Sequence, residues 1–316
     1  MDASDLLRNS LLQLAKSDAV RRTVERAPVS RQVVHRFVPG TSTQDAVDAT
    51  AELRATNRLA TIDYLGEDTT DLTQAIRTRD HYLELLAALA AADLSQHGMG
   101  EVSLKLSALG QHLPGDGDKI ALEHAREICR AAAEAGTTVT LDMEDHTTTD
   151  ATLEALRELR NDFPWVGAVI QSYLHRSEAD CRDLAHEGSR VRLCKGAYKE
   201  PESVAYQSSS DVDQSYVRCL KILMAGDGYP MVASHDPRLV EIAGALAAHH
   251  RREASSYEYQ MLYGIRPDEQ KRIADRGNQM RVYIPYGDEW YGYLMRRMAE
   301  KPANTMFFLR GVATRG

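Results

Sequence analysis

The chain has 316 residues, 43% hydrophobic and 27% charged, ordinary values for a globular protein with enough material for a sizeable core. A net charge of −8 argues against a nucleic-acid partner. The four cysteines, Cys129, Cys181, Cys194 and Cys219, form no CxxC pair, so neither a zinc cage nor a disulfide framework is indicated and a reducing cytoplasm is expected.

Residues 1–44 read as a helical arm, with apolar positions at Leu7, Leu11, Leu14, Val20 and Val24 and an end near Pro39-Gly40. Met1 to Ser10 carries Asp2 and Asp5 and lacks the apolar segment of a signal peptide. No apolar run suffices to span a bilayer, since Glu84 and Asp93 interrupt Leu83 to Leu94. Across residues 45–316, β-rich runs alternate eight times with helical ones. Strands are predicted over 60–65, 101–106, 137–143, 166–173, 190–195, 230–235, 257–262 and 279–285, and helices over 72–95, 119–135, 149–161, 177–186, 214–225, 238–249 and 269–276. This rhythm predicts an α/β fold, a (β/α)8 TIM-like barrel closed by pairing the first strand with the last. A doubly wound open sheet loses ground because no GxGxxG or Walker lysine loop follows any strand.

The eighth helix places Tyr293, Arg296, Arg297 and Glu300 at i, i+3, i+4 and i+7 on one face, opposite Tyr291, Leu294, Met295 and Met298. Charged stripes usually face water. An arginine pair on a rigid helix also suits bidentate grip of a small anion, with Glu300 as a brace.

Barrel chemistry sits at the C-terminal ends of strands, and here those ends are polar. They carry Lys105, Asp142, Gln171, Arg192 with Lys195, Ser234-His235-Asp236, Glu258 with Gln260, and Arg281 with Tyr283. Each such residue alone can be a cap or a bridge, but burying the polar ends of seven strands together is costly unless they are paired or used. His235 reads equally as a turn-holding residue and as a site residue. The cluster Asp142, Glu144, Asp145, His146 invites a metal reading, which is set aside. Only Asp142 and Glu144 share a strand face, no second histidine motif accompanies them, and Lys105, Arg192, Lys195, Arg296 and Arg297 suit an anion instead.

Arg-Leu-Cys-Lys-Gly-Ala-Tyr at 192–198, Tyr-Glu-Tyr-Gln-Met-Leu-Tyr-Gly at 257–264, Arg-Val-Tyr-Ile-Pro-Tyr-Gly at 281–287, Tyr-Leu-Met-Arg-Arg-Met-Ala-Glu at 293–300 and Ala303-Asn304 closely resemble proline dehydrogenase, over roughly residues 45–310. The resemblance implies a distorted (β/α)8 barrel holding FAD, which oxidises L-proline to Δ1-pyrroline-5-carboxylate and passes electrons to a membrane quinone. It implies that Arg296, Arg297 and Lys105 hold the proline carboxylate, that Tyr198, Leu262, Tyr283 and Tyr293 wall the ring, and that Asp142 and Arg192 are the catalytic pair. It gives the cofactor Met143, Gln171, Arg192, Lys195, Gly196, Ala197, Ser234, His235 and Glu300, and no metal. Lys199 stands where bifunctional relatives typically carry Trp, and Ser234 where Thr is common. No aldehyde dehydrogenase domain follows, so the product is expected to pass to a separate pyrroline-5-carboxylate dehydrogenase. Peripheral association with the inner membrane face is likewise implied by the family. Hydroxyproline dehydrogenase is disfavoured by the bulk of Tyr283, a folate-dependent flavin barrel by the lack of an evident folate site, and a non-catalytic binding barrel by the presence of Arg296, Arg297 and Lys105.

Overall fold

The computed structural model describes residues 34–300, apart from the side chains of residues 296 and 298–300. The arm positions Leu7 to Val24 therefore lie outside the described residues. The described chain begins with a helical turn at 34–37 and then helix α1 (Thr43–Arg54), which the sequence pattern did not announce. Its buried face is made of small residues, Ala46, Val47, Ala49 and Thr50, with Leu53, so its apolar stripe is faint. A capping box starts it: Ser42 accepts from the Asp45 N–H while Asp45 accepts from the Ser42 N–H.

Eight strands then alternate with helices. The strands are β1 (Leu59–Tyr64), β2 (Gly100–Leu104), β3 (Val139–Leu141), β4 (Ala168–Gln171), β5 (Arg190–Cys194), β6 (Tyr229–Ala233), β7 (Glu258–Leu262) and β8 (Met280–Tyr286). The helices between and after them are α2 (Leu72–Ala91), α3 (Gly117–Glu134), α4 (Thr149–Asp162), α5 (Ser177–Leu184), α6 (Ser209–Ala225), α7 (Pro237–His249), α8 (Pro267–Asp275) and α9 (Trp290–Glu300). All strand pairs are parallel, in the order β3-β2-β1-β8-β7-β6-β5-β4. The first strand pairs with the last, as expected for a (β/α)8 barrel, from Leu59 opposite Arg281 to Tyr64 opposite Tyr286.

The seam lies between β3 and β4. There the Gly167 N–H donates to the Val139 carbonyl at 2.8 Å and the Leu141 N–H to the Gly167 carbonyl at 2.9 Å. A Cβ on Gly167 would sit 2.7 Å from Thr140 Oγ1, so a glycine lets the two backbones approach. Both strands are shorter than the sequence pattern suggests. Beyond Leu141 and Gln171 the regular strands end, with the Asp142 N–H still donating to the Leu104 carbonyl at 2.7 Å and the Ser172 N–H to the Cys194 carbonyl at 2.8 Å, and Asp142 and Met143 line the barrel mouth. Helix α6 is longer than expected because Ser208 caps it, accepting from the Asp211 N–H at 3.1 Å.

Alternation along the strands explains which side chains point inward. Ala60, Ile62, Val102, Leu104, Val191, Leu193, Val282 and Ile284 belong to the buried apolar core. Their neighbours Thr61, Asp63, Glu101, Ser103, Arg192 and Arg281 form a polar interior that is also buried. Two tiers result. The lower tier is an ion-pair layer: Glu101 lies 2.6 Å from Arg190, and Glu258 binds Arg281 through both carboxylate oxygens at 2.7 and 3.0 Å. Glu258 and Arg281 therefore stand at the floor, not at the mouth end of their strands, and Arg281 also donates to the Ala60 and Gly98 carbonyls at 2.9 and 2.8 Å.

Burial alone would raise the Glu101 carboxyl, but Arg190, Arg281 and Arg192 outweigh it and hold it well below the usual carboxylate range. Its stabilising contribution is therefore complete above the unfolded value of 4.5 and is lost as pH falls through the depressed folded value. Glu101→Gln is expected to cost about 3–5 kcal/mol of stability in urea titrations at neutral pH, because it leaves buried guanidinium charge uncompensated. The variant should also lose less stability on acidification than the parent. Equal urea midpoints at neutral pH would contradict the role assigned to this layer.

Candidate active site

Above the ion-pair layer opens a cavity of about 740 Å³ at the C-terminal ends of the strands, within the roughly 300–1,000 Å³ range usual for small-molecule and cofactor sites. Its lining includes Lys105, Asp142, Met143, Gln171, Arg192, Lys195, Gly196, Ala197, Tyr198, Ser234, His235, Leu262, Tyr283, Tyr293 and Arg297, all singled out in the sequence. The side chains of Arg296 and Glu300 lie outside the described residues. Helix α9 turns its apolar residues Tyr291, Leu294 and Met295 into a buried cluster with Phe37, Val38 and Leu65. Tyr293 and Arg297 line the cavity, with the guanidinium carbon of Arg297 5.2 Å from the centre of the Tyr293 ring.

At the floor of the cavity Asp142 joins three strands to its own. Oδ1 accepts from Ser103 Oγ on β2 at 2.8 Å and from Arg192 on β5 at 2.6 Å, and Oδ2 accepts from the Tyr283 hydroxyl on β8 at 2.7 Å. Arg192 also donates to Ser103 Oγ at 3.1 Å and lies 5.3 Å from the centre of the Tyr283 ring. Burial, followed by the charges of Asp142 and Asp63, pushes the Tyr283 phenol well above its ordinary range, so it stays protonated and donates.

Asp63, which the sequence reading passed over, reaches the same cavity from β1 and pairs with Lys105 at 2.7 Å. Its signal is in the sequence: it is the polar end of a strand reading Leu-Ala-Thr-Ile-Asp-Tyr. Burial would pull the Lys105 ammonium down, but Asp63, Asp142 and Glu67 together hold it above its usual range. Lys105 is thus a cation at every physiological pH.

The opposite wall comes from the loop after β5. Lys195 lies 2.5 Å from Asp213 and 3.4 Å from Asp236. Gly196 has φ 113°, and a Cβ there would meet the Tyr173 ring at 2.4 Å. Tyr173 in turn donates to Glu200 at 3.2 Å, and Glu200 accepts from the His146 backbone N–H at 2.9 Å and pairs with its ring. The residues that invited a metal reading thus diverge: Asp142 into the cavity floor, Glu144 to the Ser107 N–H at 3.1 Å, His146 to Glu200. Gln171 donates to the Glu144 carbonyl at 2.7 Å. One ring nitrogen of His235 accepts from the Leu262 N–H at 3.0 Å, so His235 lines the cavity and also ties β6 to β7.

A parallel barrel with a polar cavity lined by cations, carboxylates and tyrosines at the C-terminal ends of its strands has the arrangement of a barrel enzyme. The family model described as proline dehydrogenase matches residues 46–310. Proline dehydrogenase 1 of Bacillus subtilis subsp. natto is 36% identical over 97% of this chain and 99% of its own length. Proline dehydrogenase of Deinococcus radiodurans is 37% identical over 97% and 98%. Among solved structures, proline utilization A from Bdellovibrio bacteriovorus, inactivated by N-propargylglycine, superposes with a TM-score of 0.78 at 28% identity; the match covers 90% of this chain and 34% of that one. The chain belongs to the proline dehydrogenase family, and its activity is the oxidation of proline.

Tyr283→Phe removes one of the three bonds to Asp142 and is expected to cost about 1.5–3 kcal/mol, the scale of a hydrogen bond to a charged group. The variant should show a lower chemical denaturation midpoint and a raised KM for proline. A variant matching the parent in both would leave the phenol without a role at Asp142.

Proposed function

We propose that the chain oxidises L-proline at the bond between its nitrogen and the ring carbon distal to the carboxylate, giving Δ1-pyrroline-5-carboxylate, with FAD as hydride acceptor and a membrane quinone as final oxidant. The observation that carries this reading is the opening of Lys105 and Arg297 into one cavity walled by Tyr198, Leu262, Tyr283 and Tyr293. Two cations suit a carboxylate, and the aromatic and aliphatic wall suits a saturated ring. Residues 45–316 form the flavin and substrate domain in this reading. Among the described residues no helix is long and apolar enough to cross a membrane. Contact with the quinone by peripheral association at the inner membrane face is assigned from the family resemblance. The product passes to a separate pyrroline-5-carboxylate dehydrogenase.

The residues fit a flavin. Gly196 brings bare backbone to the cavity, Lys195 adds a cation, and Arg192 keeps its Nε buried without a hydrogen-bond partner among the described residues while one terminal nitrogen faces Glu101 below. Such donors suit the electron-rich carbonyl and nitrogen edge of an isoalloxazine. Met143, Gln171, Ala197, Ser234 and His235 complete the set on the same cavity, with Glu300 assigned to it from the family resemblance. When bound, FAD supplies the two-electron acceptor.

The protein's part is orientation. Lys105 and Arg297, with Arg296 assigned beside them, hold the carboxylate and fix which ring carbon faces the acceptor. Asp142 keeps Arg192 and Tyr283 in place so that neither turns toward the substrate anion. The apolar wall excludes water from the ring.

The purified protein is expected to show a flavin absorption band that bleaches anaerobically on addition of L-proline. A colourless protein, or bleaching by trans-4-hydroxyproline alone, would overturn the reading. Arg297→Met is expected to keep its flavin and raise KM for proline by the equivalent of about 2–5 kcal/mol, the usual loss on truncating one partner of a buried charge pair. An unchanged KM would remove Arg297 from the carboxylate site.

A further inference from the structure

The ammonium of Lys105 can serve a carboxylate only if something holds it at one point of a wide cavity. Lysine is a compact charge on four flexible methylenes and lacks the planar fork that orients arginine. Here the Lys105 side chain is 11% exposed, and its Nζ lies 2.7 Å from Asp63 Oδ2, whose own side chain is 2% exposed. The other Asp63 oxygen lies 3.3 Å from the hydroxyl of Tyr82, a fully packed side chain of α2 whose single proton goes to the nearer Ser103 carbonyl at 2.7 Å. Asp63 is thus buried against a helix outside the barrel, and it projects from β1, the strand most extensively paired with β8.

We propose that Asp63 is a positioning residue for proline oxidation: it anchors the Lys105 ammonium at one point of the cavity, so that Lys105 meets the substrate carboxylate already oriented. The inference rests on the reading of Lys105 as a carboxylate ligand. A bland alternative is that Asp63 merely neutralises a buried cation. The two differ in what Asp63→Asn does to catalysis.

The groups facing Lys105 are Asp63 from β1, Glu67 from the following loop and Asp142 from the end of β3. Tyr283 of β8, Arg192 of β5 and Arg297 of α9 line the same cavity. Removing the Asp63 charge leaves Lys105 with more distant anions and two neighbouring cations, so its proton is lost at lower pH. In the flavin-loaded protein, Asp63→Asn is expected to raise KM for L-proline about tenfold, equivalent to about 1.4 kcal/mol, with a much smaller change in kcat. The alkaline fall of kcat/KM should move to lower pH than in the parent. An unchanged KM together with an unchanged pH profile overturns the proposal.

Lys105→Met separates this outcome from failure of the underlying reading. If it leaves KM unchanged, the carboxylate reading of Lys105 falls, and the role of Asp63 with it. If Lys105→Met raises KM while Asp63→Asn does nothing, the inference on Asp63 alone fails. Should Asp63→Asn not yield folded protein, the double variant Asp63→Asn/Lys105→Met removes both charges. A kcat/KM equal to that of Lys105→Met supports action through Lys105, and a further loss overturns it.

Discussion

The carboxylate of Asp142 is the constraint on which the site depends. It sits where β3 leaves the sheet and binds side chains from β2, β5 and β8, so four strands that contact each other only in part share one anion. An unpaired carboxylate at this depth would cost several kcal/mol. Three donors satisfy it, and two of them, Arg192 and Tyr283, themselves line the cavity. Arg192 and Tyr283 are thereby held in fixed rotamers, which is what a site built for orientation requires.

Beneath Asp142 the lower ion-pair layer does related work. Barrel interiors usually fill with branched apolar side chains, whereas this one carries Glu101, Arg190, Arg281 and Glu258. Arginine and glutamate span the interior with long side chains and spend their polar atoms on one another and on backbone carbonyls. Arg192 links the tiers, bonding Asp142 above and lying 3.7 Å from Glu101 below. Substrate-side geometry is therefore braced by charge pairs that never meet the substrate.

Much of this was legible in the chain. Eight apolar runs separated by amphipathic stretches predict a barrel, and the polar residues that end those runs predict where its cavity opens. What escaped had specific reasons. Asp63 ends its strand as Lys105 ends the next, but its meaning depends on a partner 42 positions away. Arg281 and Glu258 read as mouth residues because alternation reveals which face a side chain takes and not its height in the barrel. Helix α1 buries alanines, whose weak apolar signal resembles that of an exposed helix. The roles of the cavity residues came from resemblance to a family, since strand spacing does not distinguish a residue that meets a ring carboxylate from one that meets a cofactor.

The seam between β3 and β4 has one further implication. Where β1 and β8 match over six residue pairs, β3 and β4 meet only around Gly167 and Thr140. That join lies below Met143 and Gln171, on the side assigned to the flavin, while the tightly laced join carries Asp63 and Tyr283. The bond from Arg192 of β5 to Asp142 at the end of β3 passes over that join, so a side-chain bridge closes the cylinder where its backbone bonds are fewest.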